Sequence, residues 1–307
     1  MPRRQRQEET LSEPVIETDG LRKSYGAKAA LRGLELIVPR GSIYGFLGRN
    51  GAGKTTTLKL LMGILGRDGG DLSLFGEPMD SESAQVKARR RIGFVSEDKE
   101  LYPFMTVEQT IRFTQGFFPG WRRELEERYL KLFRLPPRCN VLKLSKGMRT
   151  QLMMLLAMAR GADLLVMDEP TTGLDPIMTE EVLQALADLA AGEGVTIFFS
   201  SHQLTEVEQI CDHVCLIDDG QKVLEGELDE LKSRYRRIVL VFDSAAPSEL
   251  AGMEGIANLR RSGRTASMLA HVDVDNVVAR TRKFAPQSVE VHPLTLKELF
   301  LDHLKEE

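Results

Sequence analysis

Ser42–Leu47 (S-I-Y-G-F-L) runs into Gly48-Arg49-Asn50-Gly51-Ala52-Gly53-Lys54-Thr55, and Thr56–Leu65 follows with leucines at helical spacing. The order is strand, glycine-rich loop, helix. The loop fits the pattern G-x-x-x-x-G-K-T/S. Its glycines let successive backbone N–H groups turn inward around a β-phosphate, and the next helix presents its positive N-terminal end. Lys54 is placed to reach the β and γ oxygens, and the Thr55 hydroxyl to bind Mg2+. The bland alternative is a glycine-rich turn with an incidental lysine. The strand before the loop and the apolar helix after it count against that alternative.

Outward from this loop, Asp163–Met167 is a continuous apolar run, and Val195–Phe199 and His213–Ile217 repeat it, each preceded by a helical segment. Strands alternating with helices imply a mostly parallel sheet covered on both faces. Thr106–Phe118 and Trp121–Phe133 read as helices broken by Pro119-Gly120 and closed by Pro136-Pro137, and Leu152–Ala159 continues another helix. After about Leu231 the character changes. Arg237–Phe242, Ala266–Val272 and Ser288–His292 are strand candidates, and Asp275–Phe284 and Thr295–Leu304 are helix candidates. The expected fold is α/β: a mixed, mostly parallel sheet with an inserted helical subdomain over about 97–160. Residues 15–235 form the main domain, 236–307 a small accessory α/β domain, and 1–14 a mobile tail.

The chain has 307 residues, which suggests two domains at about 150 each. Charged residues are 28% and the apolar set 42%, so the chain is globular rather than disordered. Net charge is 41 − 45 = −4, so no global basic field points to nucleic acid. The Arg3-Arg4-Gln5-Arg6 cluster is too short to change that. The densest apolar patch, Leu152–Ala159, falls well short of the about 18–20 residues that span a bilayer. The N-terminus lacks the apolar stretch of a secretory signal. Three cysteines cannot build a disulfide framework, and an odd number fits a reduced compartment. Cys211, His213 and Cys215 look at first like metal ligands, but lack zinc spacing and a fourth ligand, so core cysteines are expected. A soluble cytoplasmic protein is the expectation.

Leu164–Asp168 ends on an acid, and Glu169 follows. An acid at the C-terminal end of such a strand sits where open α/β sheets bind ligands. Asp168 there would hold Mg2+ through its water shell, and Glu169 would deprotonate the attacking water. On its own the pair also reads as a solvated turn that caps the next helix.

The order of five motifs resembles the ATP-binding cassette superfamily, over roughly Val15–Leu231. They are the glycine loop, Leu144-Ser145-Lys146-Gly147-Met148, Asp168-Glu169, Gly173-Leu174-Asp175-Pro176, and Ser201-His202. The resemblance implies further roles. Tyr25, in Lys23-Ser24-Tyr25-Gly26, matches the aromatic that stacks on adenine, although a tyrosine there is by default a turn or core residue. Ser145 and Gly147, with Lys146 and Met148 around them, match signature residues that contact the γ-phosphate from an opposite subunit. Ser145 can equally cap the helix that starts there, and the two readings coexist because that helix N-terminus points at phosphate. Asp175 matches the residue that links two sites across a dimer. His202 matches the histidine that touches the γ-phosphate and holds the water of the catalytic glutamate in line.

Three positions depart from the family's pattern, of which Thr150, where a glutamine is usual after Met148-Arg149, has no account in the sequence. Lys146 stands where glycine is usual, adding positive charge near a partner's γ-phosphate. Glu97, in Ile92-Gly93-Phe94-Val95-Ser96-Glu97, stands where the family has a glutamine that binds Mg2+ and senses the membrane subunit. A carboxylate is still a hard oxygen ligand, so Glu97 reads as a metal-shell residue or as a solvated loop acid. Glu100–Phe118 is rich in aromatic and apolar groups; internal packing of a helical subdomain takes most of them, and Leu101–Met105 is a candidate groove for a partner's helix.

The resemblance implies an ATPase that binds ATP and Mg2+ and drives export of the drug and antibiotic type. It would act on separate transmembrane permease subunits from the inner face of the cell membrane. One chain carries one glycine loop and one signature, so two ATP-binding subunits would meet head to tail, with a homodimer favoured and a heterodimer open. The alternative is a soluble clamp of the same superfamily acting on ribosome or DNA. Such proteins generally hold two cassettes or long coiled coils, and this chain shows neither.

Overall fold

The computed structural model describes residues 14–97, 100–270 and 273–303. The expected tail over 1–14 lies outside the described residues except for Pro14. The chain divides into two compact units, 1–225 and 226–307.

The first unit begins with β1 (Ile16–Tyr25), β2 (Lys28–Val38), β3 (Ile43–Gly48), α1 (Lys54–Leu61), β4 (Gly69–Leu74), β5 (Glu77–Pro78), α2 (Glu82–Arg90) and β6 (Ile92–Val95). Then come α3 (Val107–Gln115), α4 (Arg123–Leu132), α5 (Lys146–Ala159), β7 (Leu164–Asp168) and α6 (Pro176–Glu193). It closes with β8 (Thr196–Ser201), α7 (Leu204–Ile210), β9 (His213–Asp218) and most of β10 (Gln221–Glu227), whose last two residues fall past the division at 225/226.

A six-stranded sheet has the order β10-β9-β3-β8-β7-β6, and the pairings among β6, β7, β8, β3 and β9 are all parallel. A separate antiparallel sheet, β2-β1-β4-β5, is a feature that the sequence did not announce. The register of β1 against β2 slips between Thr18 and Leu21 and again further along, which breaks the period-two alternation that marks a strand. Helix α1 lies between the two sheets. Its Leu58, Leu60 and Leu61 share one core with Phe46, Val166 and Phe198 of the parallel sheet and with Leu34, Leu36 and Leu72 of the antiparallel one.

Local chemistry sets the helix ends. The expected helix from Thr56 starts earlier, at Lys54, because Gly53 (φ +111) turns the chain into it. Helix α3 is opened by a capping box in which Thr106 and Gln109 satisfy each other's backbone N–H groups. Ser145 caps α5 and Asp175 caps α6, each through its side-chain oxygen. Pro176 sits at the start of α6 and left-handed Gly194 ends it. Helices α3, α4 and α5 occupy the stretch read as the helical subdomain.

The second unit contains α8 (Leu228–Arg234), β11 (Arg236–Val241), β12 (Ile256–Ser262), β13 (Thr265–Ala270), α9 (Val274–Thr281), β14 (Ser288–Pro293) and α10 (Leu296–His303). Its start at Gly226 precedes the expected 235/236 boundary, because α8 groups with this unit. Its four strands form an antiparallel sheet in the order β12-β13-β11-β14. Alternate residues supply one core around Ile238, Leu240, Met268 and Val277, and a smaller one around Leu269, Leu294 and Leu299. Strand β12 was not legible in the sequence. Asn258 adopts φ +51 and the register shifts between Ala257 and Arg260, so the alternation fails there.

Candidate functional site

Parallel register brings three chain segments to one edge of the six-stranded sheet. Phe46 of β3 and Asp168 of β7 both lie opposite Ser200 of β8. The glycine loop, Asp168-Glu169 and Ser200–His202 therefore leave the sheet together, at the carboxyl ends of its strands.

The loop's shape depends on Gly53. A Cβ at this position would come within 2.7 Å of the Ala30 carbonyl oxygen and of a Leu31 methyl, and φ is already +111. Behind the loop, the Lys54 ammonium donates to the Gly48 carbonyl at 2.8 Å and lies 3.4 Å from Glu169 Oε1. Lys54 is buried, so its charge is directed at this loop and this carboxylate rather than at bulk water. Glu169 itself has φ +50, a left-handed backbone that swings its side chain away from the line of β7. Its Oε2 lies 2.7 Å from His202 Nδ1 and accepts from Thr172 Oγ1 at 3.4 Å. Asp168 is buried beneath, accepting at Oδ1 from Ser200 Oγ at 2.6 Å. Behind this layer Thr171 donates to Glu206 at 2.5 Å. Burial, more than any neighbour, raises the Glu206 carboxyl above its usual range; the Thr171 hydrogen bond opposes the rise and the Glu169 charge adds to it.

These residues border a cavity of about 550 Å³. Of the residues expected from the sequence, its wall holds Tyr25, Arg49, Asn50, Gly51, Gly53, Lys54, Thr55, Thr56, Glu97, Glu169 and His202. Gly48 and Ala52 belong to the same loop, and Asp168 lies under it. Tyr25 is half exposed, with Lys28 opposite it across the β1–β2 hairpin. Lys28, Ala30 and Thr172 line the cavity too, although the sequence did not single them out. Pairing opposite Tyr25 is the signal that marks Lys28; Thr172 sits three residues past Glu169 and is visible only once the chain turns.

Ser145, Lys146, Gly147, Met148 and Asp175 are not part of that wall. They meet one another instead. Ser145 Oγ accepts from the Met148 N–H at 3.1 Å, and Asp175 Oδ1 accepts from the Met178 N–H at 2.9 Å. A Cβ on Gly147 would lie 2.8 Å from the Met178 sulfur, and one on Gly173 would lie 2.8 Å from the Lys146 side chain. The start of α5 and the turn into α6 thus form a second locus, apart from the cavity. A larger space of about 900 Å³ between α4 and α6 takes only Pro176 from the motifs.

Cys211 and Cys215 are buried in the first unit, and burial pushes both thiols up, away from reactivity. In the aromatic stretch, Val107, Thr110 and Ile111 are buried, whereas Tyr102, Phe104, Phe113 and Phe117 are exposed. The rings form a chain Phe104–Tyr102–Phe113–Phe117, at centroid separations of 5.8, 5.4 and 5.1 Å.

The family described as ABC transporter matches residues 31–172, and one described as AAA domain, putative AbiEii toxin, Type IV TA system, matches residues 139–208. Nod factor export ATP-binding protein I of Cupriavidus pinatubonensis is 40% identical over 222 residues, which are 71% of this chain and 67% of that protein. The protein of the same name from Paraburkholderia xenovorans is 34% identical over 300 residues, 95% of this chain and 97% of the relative. Bacitracin transport ATP-binding protein BcrA of Bacillus licheniformis is 36% identical over 225 residues, 73% of each. Among solved structures, an ATP-binding subunit of an ABC transporter superposes with a TM-score of 0.65 at 28% identity, covering 71% of this chain and 92% of that one. A dimeric bacterial ABC transporter cassette, at 22% identity and a TM-score of 0.64, shares the fold over 69% of this chain and 98% of its own.

Fold and site together define a P-loop ATPase. The chain belongs to the ABC transporter family, as an ATP-binding subunit that hydrolyses ATP.

Proposed function

We propose that this chain is the motor of an exporter, acting on separate membrane subunits from the inner face of the cell membrane. Its relatives are named for Nod factor export and bacitracin transport, which supports export as the direction. A soluble clamp on ribosome or DNA finds no support among them. Among the described residues no helix is long and apolar enough to cross a membrane, and in this reading the transport path belongs to the partner subunits.

The observation that carries the proposal is the meeting of Lys54, Glu169 and His202 at the mouth of the glycine loop. Lys54 takes the β and γ oxygens, exchanging its bond to Gly48 for charged partners. Tyr25, at the rim, stacks on the adenine. Glu169 removes a proton from the attacking water, and His202 holds that carboxylate and contacts the γ-phosphate. Thr55, Asp168 and Glu97 offer hard oxygens, and Ser200 occupies only one oxygen of Asp168, so the donor set fits Mg2+. Bound there, the ion would neutralise charge on the phosphates.

Ser145, Lys146, Gly147, Met148 and Asp175 stand apart from their own cavity, which fits a role toward another copy's nucleotide. Two chains then meet head to tail with two ATP molecules between them, and identical halves are favoured. ATP binds the closed pair more tightly than the open one; loss of the γ-phosphate removes the contacts that hold it shut. The exposed rings of Tyr102, Phe104, Phe113 and Phe117 offer an apolar seat for a membrane subunit's helix.

The test is purification of the tagged chain from detergent-solubilised membranes, followed by light scattering of the isolated chain with and without Mg·ATP. A hydrophobic partner and an ATP-dependent dimer are expected. Recovery with ribosomes, or a chain that stays monomeric at saturating Mg·ATP, would overturn the exporter or the dimer respectively.

A further inference from the structure

Ser200 is fully buried, and its hydroxyl is used in both senses. It donates to Asp168 Oδ1 at 2.6 Å and accepts from the Glu169 N–H at 3.0 Å. From this geometry we infer that Ser200 is a positioning residue that locks the metal-facing acid and the catalytic base into one arrangement. The inference rests on the roles proposed above for Asp168 and Glu169.

Three features make the double bond consequential. First, Asp168 and Ser200 are direct register partners in adjacent parallel strands, so the hydroxyl is aimed by the sheet rather than by a loop. Second, Glu169 is the residue at which the chain leaves β7, with φ +50. A non-glycine residue keeps a left-handed backbone only where its surroundings over-determine it, and the hydroxyl that accepts from its N–H is one such determinant. Third, the bond to Asp168 engages one carboxylate oxygen and restrains rotation of the group, which narrows the positions open to the second oxygen. Without a hydroxyl at 200, Asp168 loses a donor and the Glu169 N–H loses an acceptor in a buried place. Both carboxylates would then sample more than one orientation, and a misplaced base is slow even when nucleotide binding is intact. Neither acid's sequence position reveals this coupling.

The experiment compares Ser200→Ala, Ser200→Cys and Ser200→Thr in the full chain, reading kcat, KM for Mg·ATP, equilibrium ATP affinity and thermal midpoint. Ser200→Ala is expected to lower kcat about tenfold or more, by loss of hydrogen bonds to charged groups, while KM and ATP affinity stay within about twofold. Ser200→Thr keeps the hydroxyl and should restore kcat to within about threefold. Ser200→Cys preserves size with a weak donor, so it should resemble Ser200→Ala and serves if the alanine variant does not fold. Unchanged kcat in Ser200→Ala, or a threonine variant no better than alanine at equal thermal midpoint, would overturn the inference. Glu169→Gln, run alongside, separates the two readings. Normal turnover there removes the base assignment whatever Ser200 does; an inactive Glu169→Gln beside a normal Ser200→Ala removes the Ser200 inference alone.

Discussion

His202 Nδ1 lies 2.7 Å from Glu169 Oε2, while the other oxygen of the same carboxylate lies 3.4 Å from the Lys54 ammonium. The residue just after β8 thus supplies a partner for the proposed base, and the glycine loop supplies the cation that this carboxylate faces. A carboxylate held from two sides has its lone pairs directed before substrate arrives. Glu169→Gln keeps the shape and removes the base. Turnover should fall by about 10²–10⁴ while Mg·ATP binding persists and the ATP-bound dimer becomes long-lived. Near-normal phosphate release from this variant would exclude Glu169 as base.

His202→Ala removes the orienting partner and leaves the base. It should lower kcat by about 10²-fold with a smaller effect on nucleotide affinity. A change confined to KM would assign His202 to ground-state binding alone.

Lys54→Ala should act earlier in the cycle. A charged hydrogen bond is worth about 1.5–3 kcal/mol, so ATP affinity should drop by roughly 10–150-fold in an equilibrium titration. The thermal midpoint without nucleotide should fall as well, since the variant leaves the buried Glu169 carboxylate without its cation, so affinity is compared under conditions where both proteins are folded. Intact affinity in the variant would show that the backbone cradle alone holds the phosphates.

Glu97 borders the cavity as an exposed carboxylate. Glu97→Gln removes a negative charge from a site that must hold an anionic nucleotide with a divalent cation. Metal-free ATP should bind more tightly, and the Mg2+ concentration for half-maximal hydrolysis should rise several-fold. Opposite movement of either quantity would place Glu97 outside the metal's surroundings.

Glu206 makes stability depend on pH. Burial raises its carboxyl above the usual 4.5, so the folded state keeps this proton to higher pH than the unfolded state does. The group's contribution is complete below the unfolded value and is lost as pH rises through the raised folded one. Glu206→Gln removes that loss. In denaturant unfolding from about pH 4 to about pH 8, the stability of the parent relative to the variant should decline with rising pH. A difference independent of pH would mean that folding leaves the Glu206 carboxyl unshifted.

The parts of the site legible in the sequence are those whose chemistry is local. Gly48–Thr55 announces itself because phosphate binding needs glycines, a lysine and a helix start in fixed order, and Asp168-Glu169 because an apolar strand ends in acid. Thr172 and Lys28 escaped, because each enters the cavity only through a turn: one after left-handed Glu169, the other across the Tyr25 hairpin. The antiparallel sheet of the first unit and strand β12 of the second escaped for a shared reason. Register shifts in β1, and at Asn258 in β12, erase the alternation on which strand reading depends.

By itself, the order of residues determined a parallel α/β core, a loop made for phosphate, and the acids and histidine that go with it. The core, the loop and the strand-end acids follow from short-range rules of periodicity, helix starts and glycine geometry, whereas His202 was marked only by the order of motifs that the family resemblance rests on. Only the tertiary structure decided which atoms meet. Ser200 reaches both Asp168 and Glu169 because strands distant in sequence pair in register, and Ser145 stands away from Lys54 because α5 and α1 start at separate places in the fold. Contacts of that kind are set by how whole elements pack, and no local run of residues encodes them.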